Sequence, residues 1–321
     1  MKILGLLPNK REEKEIIKVI ESITFIYNYS EISNYLREEK PDVILFWNFE
    51  INEELMVEII QRIKTVSPQA LIYVLGEKGT MFVFWGWNRA MFSKSDIHFK
   101  GNGYDFVLHN VVAHDRPSDL SWDYINPGEV SKPQFNFRLG YFIKDNLAIV
   151  IAQDHMKYVM DQDQTVDFTG HISDPTYAAM VQNGQVNLTD EKFLTFEHTD
   201  GLNYINLGVE KYKNLYAKEN LEILWSYGGG LGLMFPKSNV KIFGNERSDR
   251  FHVAGFGADV RTNINFVLWK RLMARVEGKF GYINMPDVKT TLNNKPDKAS
   301  HDFVFGQINF GIGYVFNIKK K

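Results

Sequence analysis

The sequence predicts two architectures in one chain. An α/β N-terminal segment built on a parallel sheet precedes an all-β antiparallel transmembrane β-barrel of about ten strands, with eight as the alternative count. Three observations carry this expectation. Residues 1–77 alternate short apolar runs with helical stripes, the order that builds a parallel sheet with crossover helices. Most of residues 78–321 follow a side-chain period of two, the mark of strands whose faces meet different environments. The connections in that second part are by turns tiny and long, as in barrels with short turns at one membrane face and longer loops at the other.

Composition bounds the function. At 321 residues the chain can hold two domains. Aromatic content is high at 14%, mostly Phe and Tyr, which amphipathic strands and interfacial girdles use. A net charge of −2 gives no reason to expect nucleic acid as a partner. The absence of cysteine excludes disulfides and thiolate metal sites. No apolar run reaches the length of a membrane helix. The opening run that ends at Leu7 is too short, and too soon followed by charge, for a signal peptide. A barrel must be exported, so the first 77 residues conflict with export. The chain reads as a natural or engineered fusion of unrelated pieces.

In the first part, 2–7, 24–29, 41–49 and 70–75 read as strands. Ile16, Ile17, Val19, Ile20 and Ile23 make a helical stripe between the first two. Leu55, Ile59, Ile60 and Ile63 make another before the fourth. The runs KILGLL, PDVILFWN and ALIYVLGE resemble the first four strands of a response-regulator receiver domain, over about a quarter of the chain. The resemblance implies a partial flavodoxin-like sheet. It departs from the family at each functional position. Pro8, Asn9 and Lys10 stand where an acidic pair belongs, Trp47 or Asn48 where the phosphoacceptor aspartate belongs, and Gly76 where a hydroxyl belongs. A fifth strand with its lysine is missing. The implied segment, 1–77, is truncated and non-phosphorylatable.

The second part, 78–321, centres on 133–160. Phe135, Phe137, Leu139, Tyr141 and Ile143 share one face, with Gln134, Asn136, Arg138, Gly140 and Phe142 on the other. A wide, aromatic, uncharged face opposite a polar or tiny one fits lipid outside and a polar lumen inside. The turn Lys144-Asp145-Asn146 folds the second arm straight back. Further strands are expected over 79–92, 96–100, 104–114, 193–212, 221–235, 251–269, 272–285 and 301–316. Short turns at 144–146, 218–220 and 270–271 contrast with longer connections at 116–132, 161–192, 244–250 and 286–300, the second of these a polar loop. Taking Gly101-Asn102-Gly103 as a further turn at the membrane gives ten strands. The run 96–100 is short for a crossing, and eight follow if that region is an excursion at the rim.

Arg138, Glu222, Arg275, Glu277 and Lys279 lie opposite the apolar faces and form a candidate lumen network. In so narrow a barrel it braces and plugs the interior; the other reading is a selectivity element for small solutes. Asp154 and His155 suggest a hydrolase at the rim. As neighbours on a strand they point to opposite faces, and no serine partner is identifiable, so an aromatic and polar rim band is the better reading. His98, His109 and His114 are too irregularly spaced for a convincing metal site. Gly228, Gly229, Gly230 and Gly232 make room for large interior neighbours. Trp85, Trp87, Trp225, Tyr227, Tyr282 and Tyr314 fit interfacial girdles.

The segments FWGWNRAMFSKSDIHFKGNGYDF, NVVAHDRPS, FNFRLGYFIKDNLAI and QDHMKYVM together resemble a group of uncharacterised outer-membrane β-barrel proteins of Bacteroidetes-type bacteria. The resemblance covers 79–318 and implies an outer-membrane location, with no catalytic motif to carry over. The terminal run FGQINFGIGYVF looks like the signal by which the barrel-assembly machinery recognises its clients, although 317–321 follow it. The functional expectation is a non-enzymatic outer-membrane barrel, structural or passing small solutes, with membrane lipid around it and no cofactor. The alternatives are a soluble lipocalin-like ligand-binding barrel with its apolar faces inward and a rim-sited hydrolase.

Overall fold

The computed structural model describes residues 3–6, 23–26, 43–46, 71–72, 78–117, 134–218, 220–246, 248, 251–292 and 296–317. The chain divides into two compact units, Met1–Leu75 and Gly76–Lys321. In the first, β1 (Ile3–Leu6), β2 (Ile23–Ile26), β3 (Val43–Phe46) and β4 (Leu71–Ile72) pair in the order β2-β1-β3-β4, and every pairing is parallel. The helices expected there lie outside the described residues.

The second unit is a closed antiparallel barrel with an outgrowth at one end. Its strands are β5 (Thr80–Phe92), β6 (Ser95–Gly101), β7 (Tyr104–Val111), β8 (Ala113–His114), β9 (Asn136–Lys144), β10 (Leu147–Met156) and β11 (Val159–Met160). There follow β12 (Thr165–Ile172), a short helix Pro175–Ala178, β13 (Val181–Gln182), β14 (Gln185–Asn187), β15 (Leu194–Glu197), β16 (Leu202–Lys218) and β17 (Leu221–Met234). The last are β18 (Asn239–Ile242), β19 (Gly255–Leu268), β20 (Leu272–Lys289) and β21 (Lys298–Asn317). The wall runs β5-β9-β10-β16-β17-β19-β20-β21, and β21 pairs back onto β5 along Phe305↔Phe92 to Asn317↔Thr80. That closure makes eight strands, so the count of about ten is corrected and the alternative stands.

The two surplus strands were β6 and β7. They leave the barrel wall and carry β12, β14 and β13 outward from the long upper end of β21. Their faces explain why. One buries Ile97, Phe99, Phe106 and Leu108, while Asp96, His98, Asp105 and His109 lie on the other, a pattern for water rather than lipid. A second small sheet, β18-β15-β11-β8, packs with them. Together they form a cap whose apolar core includes Tyr158, Phe193, Phe196 and Val240. That core continues into the barrel mouth through Tyr204, Met234, Ile283 and Phe305.

Two further expectations change. The stretch 161–192 is not a loop, because it contains β12, the short helix and the β13–β14 hairpin. Asn183 and Gly184 both have positive φ there, at 52° and 76°, as a two-residue hairpin turn requires. The stretch 193–212 is two strands, β15 and β16, parted near Gly201, whose φ is 135°. β15 belongs to the cap and β16 to the wall.

The pleat assigns the faces. Leu231 is 72% exposed and Ile312 65%, and Leu207, Val260, Val276, Phe280 and Phe310 also face outward. The turn regions beside Asn146, Asn220 and Lys270 gather at one end. There Lys78 N donates to Asp145 (3.0 Å) and Tyr212 N to the Asn146 carbonyl (2.8 Å). Strands such as β17 and β19, at 14 residues each, exceed the roughly 9–11 that a tilted strand needs to cross a bilayer. The soluble lipocalin-like alternative fails on this orientation, since the charged residues are inside and the apolar ones outside.

Candidate functional site: a sealed charged lumen

The barrel interior is stacked in three layers. Near the tight turns, Phe82, Phe84, Phe142, Val150, Tyr212, Val267 and Met273 form a buried apolar cluster. The cap core closes the opposite end. Between them lies a network of ionised groups, each supplied by an inward position on an alternating strand.

Four cations, Arg138, Arg261, Arg275 and Lys279, meet four carboxylates, Asp154, Glu210, Asp259 and Glu277. Their links are continuous. Asp259 pairs with Arg261 (3.0 Å), Arg261 with Glu210 (3.8 Å), and Glu210 with Arg275 (2.7 Å). Arg275 reaches Glu277 (3.7 Å), and Glu277 takes Arg138 (2.7 Å), which also holds Asp154 (2.7 Å). Lys279 bridges Asp154 and Glu277. The side chains in these pairs are fully buried. Bare charges there would be prohibitive, and equal numbers of each sign in direct contact are what make the burial tolerable.

Neutral groups supply part of the remaining hydrogen bonding, while Arg138 Nε, Arg261 Nη1 and Glu277 Oε2 have no hydrogen-bond partner among the described residues. Asn309 donates to Glu277 (2.6 Å), Asn136 donates to Asp154, and Arg275 Nε donates to Asn265 Oδ1 (2.7 Å). Tyr212 donates to Glu210 (2.6 Å) and accepts from Arg275 (2.8 Å), while Tyr204 donates to Asp259 (3.0 Å). Cations also bind the apolar layers. The Arg275 guanidinium sits over the Phe82 ring at 5.3 Å, and the Lys279 ammonium over Tyr204 at 5.8 Å. The glycines of β17 make room, because a Cβ on Gly230 would lie 2.5 Å from Arg261 Nη2.

Of the residues the sequence singled out, Arg138, Arg275, Glu277 and Lys279 come together here. Glu222 faces inward on β17 but near the tight turn, opposite Ala217 and Val267, and makes no ion pair among the described residues. Asp154, Glu210, Asp259 and Arg261 were missed. Their signal was present: Asp259, Arg261, Asn263 and Asn265 alternate with Val260, Thr262, Ile264 and Phe266, and Asp154 shares parity with the buried Ala152 and Val150.

Asp154 and His155 form no dyad. Asp154 is in the lumen, whereas His155 lies on the outer side of the wall. There it stacks on Phe135 (5.2 Å), which stacks on Trp85 (4.7 Å), and its Nδ1 meets Asn203 Oδ1 at 2.9 Å. His98, His109 and His114 are engaged separately, by Asp105, Asp96 and Asp161. His109 also reaches the Thr169 hydroxyl (2.8 Å). The Asn110 N–H and His109 hold the Asp96 carboxyl below its ordinary range. These three pairs stitch the watered face of the cap.

Inside the cap core, His198 and His301 lie ring to ring at 5.7 Å. His301 sits on the overhang of β21 beyond the barrel and is enclosed by Tyr158, Phe196 and Phe303. Among the described residues neither of its ring nitrogens has a hydrogen-bond partner, and His198 uses only Nδ1, on Ser238 (2.8 Å). Burial, with His301 and His252 nearby, drives the His198 imidazole well below its ordinary 6.5; burial brings His301 down to about 3. In the unfolded chain both rings take up protons below about 6.5, and in the folded cap they do not. Cap stability is therefore complete above that pH and declines as pH falls through it. Limited proteolysis of the cap at pH 7.5 and pH 5 is expected to show faster cleavage in acid. His301→Phe, which removes two orphan nitrogens, is expected to stabilise the cap by about 1–3 kcal/mol and flatten the pH dependence.

No protein-family model matches the chain, and no curated protein matches it. Among solved structures it is similar to the outer membrane protein OprG of Pseudomonas aeruginosa, at 11% identity and a TM-score of 0.35. The match covers 75% of this chain and 98% of that one. It is also similar to Neisserial surface protein A (10%, TM-score 0.32, 74% and 99% covered) and to the outer membrane protease OmpT of Escherichia coli (10%, 0.31, 74% and 96%). At such distances the fold assignment rests on the strand pairings of this chain.

Proposed function

We propose that residues 78–321 form a non-enzymatic outer-membrane barrel that anchors and displays the cap rather than conducting solutes. The observation that carries this is the sealed interior, in which a charge-balanced network lies between two apolar layers. A route for water or ions needs an unfilled, hydrated lumen. The outward apolar face is the one a bilayer accepts, and bilayer-spanning sheets must close on themselves, as β21 does on β5. In this reading β21 also carries the signal read by the assembly machinery. The segment 1–77 is a receiver-like appendage lacking the phosphoacceptor.

The test is electrical. Full-length protein inserted in planar bilayers is expected to give no unitary current steps above the protein-free baseline. The same preparation should show a heat-dependent shift in gel mobility, proving that it is folded. Discrete, reproducible steps from heat-modifiable protein would replace the anchoring reading with that of a channel.

A further inference from the structure

Among the described residues the outward wall carries a depression. Across β5, β21, β20 and β19 the register aligns Met91, Gly306, Phe280 and Val260 in one row and Arg89, Ile308, Gly278 and Thr262 in the next. Each row lacks a side chain at one place, Gly306 in the first and Gly278 in the second. Met91 leans over Gly306, where a Cβ would lie 3.2 Å from its Cγ, and the open space at Gly278 continues beside it as a groove of about 560 Å³, within the size range of small-molecule sites. Its walls are Met91, Phe280, Val260 and Ile308, all more than half exposed.

Among the described residues, little fills the gap at Gly278. A Cβ built there meets only the Thr262 methyl, at 3.9 Å. Beside the groove stands Arg89. The residue is exposed, its Nη1 donates to the Asn88 carbonyl (2.8 Å), and it forms no ion pair among the described residues. Asp115, whose charge it senses, is held instead by the Ala90 N–H (2.9 Å) and by Gln134.

We propose that this groove binds one acyl chain of a membrane phospholipid, with Arg89 pairing with that lipid's phosphate. The inference rests on the membrane reading above. A depression in a wall facing hydrocarbon is not filled by water, and left empty it forfeits dispersion contacts along its whole lining. A flexible methylene chain fills it, and the Arg89 guanidinium beside it selects a phosphate, which it binds through forked hydrogen bonds.

The experiment uses full-length protein reconstituted into vesicles of phosphatidylglycerol and phosphatidylcholine, extracted in mild detergent and weighed by native mass spectrometry. The expected spectrum shows one retained phospholipid per chain. Gly278→Leu, whose Cβ has room and whose branched side chain projects into the groove, and Arg89→Gln are each expected to reduce that retained species by about tenfold. Unchanged retention in Gly278→Leu overturns the groove as the site, and unchanged retention in Arg89→Gln overturns the phosphate contact. Flotation separates the two levels of the argument. Protein that floats with the vesicles yet retains no lipid defeats only this proposal. Protein that never enters the vesicles defeats the membrane reading with it.

Discussion

Glu277→Ala is expected to destabilise the barrel by about 3–5 kcal/mol, the range found when one partner of a buried ion pair is removed. Glu277 is the junction of the lumen network, in contact with Arg138, Arg275, Lys279 and Asn309. Its loss leaves four buried cations facing three carboxylates. The control removes a matched pair. Arg138→Leu with Glu277→Leu leaves three charges of each sign, and Lys279 still holds Asp154. That double variant is expected to be more stable than Glu277→Ala alone, because desolvation is relieved along with the lost attraction. Urea unfolding in detergent micelles, followed by tryptophan fluorescence, gives both values. If Glu277→Ala unfolds with the wild type, the network contributes no stability and the bracing role is withdrawn.

The second large effect is steric. Gly140 faces the lumen on β9, and a Cβ there would lie 2.0 Å from the Phe82 ring. The ring cannot swing away, since it packs against Phe142 at 6.1 Å and Tyr212 at 6.3 Å and lies under the Arg275 guanidinium. Gly140→Leu therefore overfills a closed layer, at a cost of about 3 kcal/mol or more. The expected result is loss of the heat-modifiable band after refolding. Phe82→Ala in the same chain should restore it by vacating the volume. A Gly140→Leu single variant that refolds normally would mean that the apolar layer near the turns is loosely packed, and the seal at that end would no longer hold.

Much of the wall was legible because its signals are local. The parity of Phe137, Leu139 and Tyr141 against Asn136, Arg138 and Gly140 follows from the pleat alone, and so does that of the outward and inward residues of β17. The tight turns beside Asn146 and Lys270 announce themselves by length. The cap was less legible. The Asn183-Gly184 dipeptide is a readable hairpin signal inside a stretch whose polar composition reads as a loop. The strands β6 and β7 resemble membrane crossings in sequence because alternation reports that two faces differ without saying whether the apolar one meets lipid or a protein core. Asp154 draws attention beside its neighbour His155, whereas its parity belongs with Ala152 and Val150.

Residue order by itself determined which side chains share a face, since successive side chains along an extended chain must point to opposite sides. It also determined where the chain reverses tightly. Only the tertiary structure decided how many strands close the barrel and which charges meet. An ion pair such as Arg138 with Glu277 joins residues on opposite parts of the wall, and their height relative to one another depends on strand register and stagger around the whole closed sheet. Glu222 makes the same point. Its parity is right and its height is wrong, so it faces the interior without entering the network.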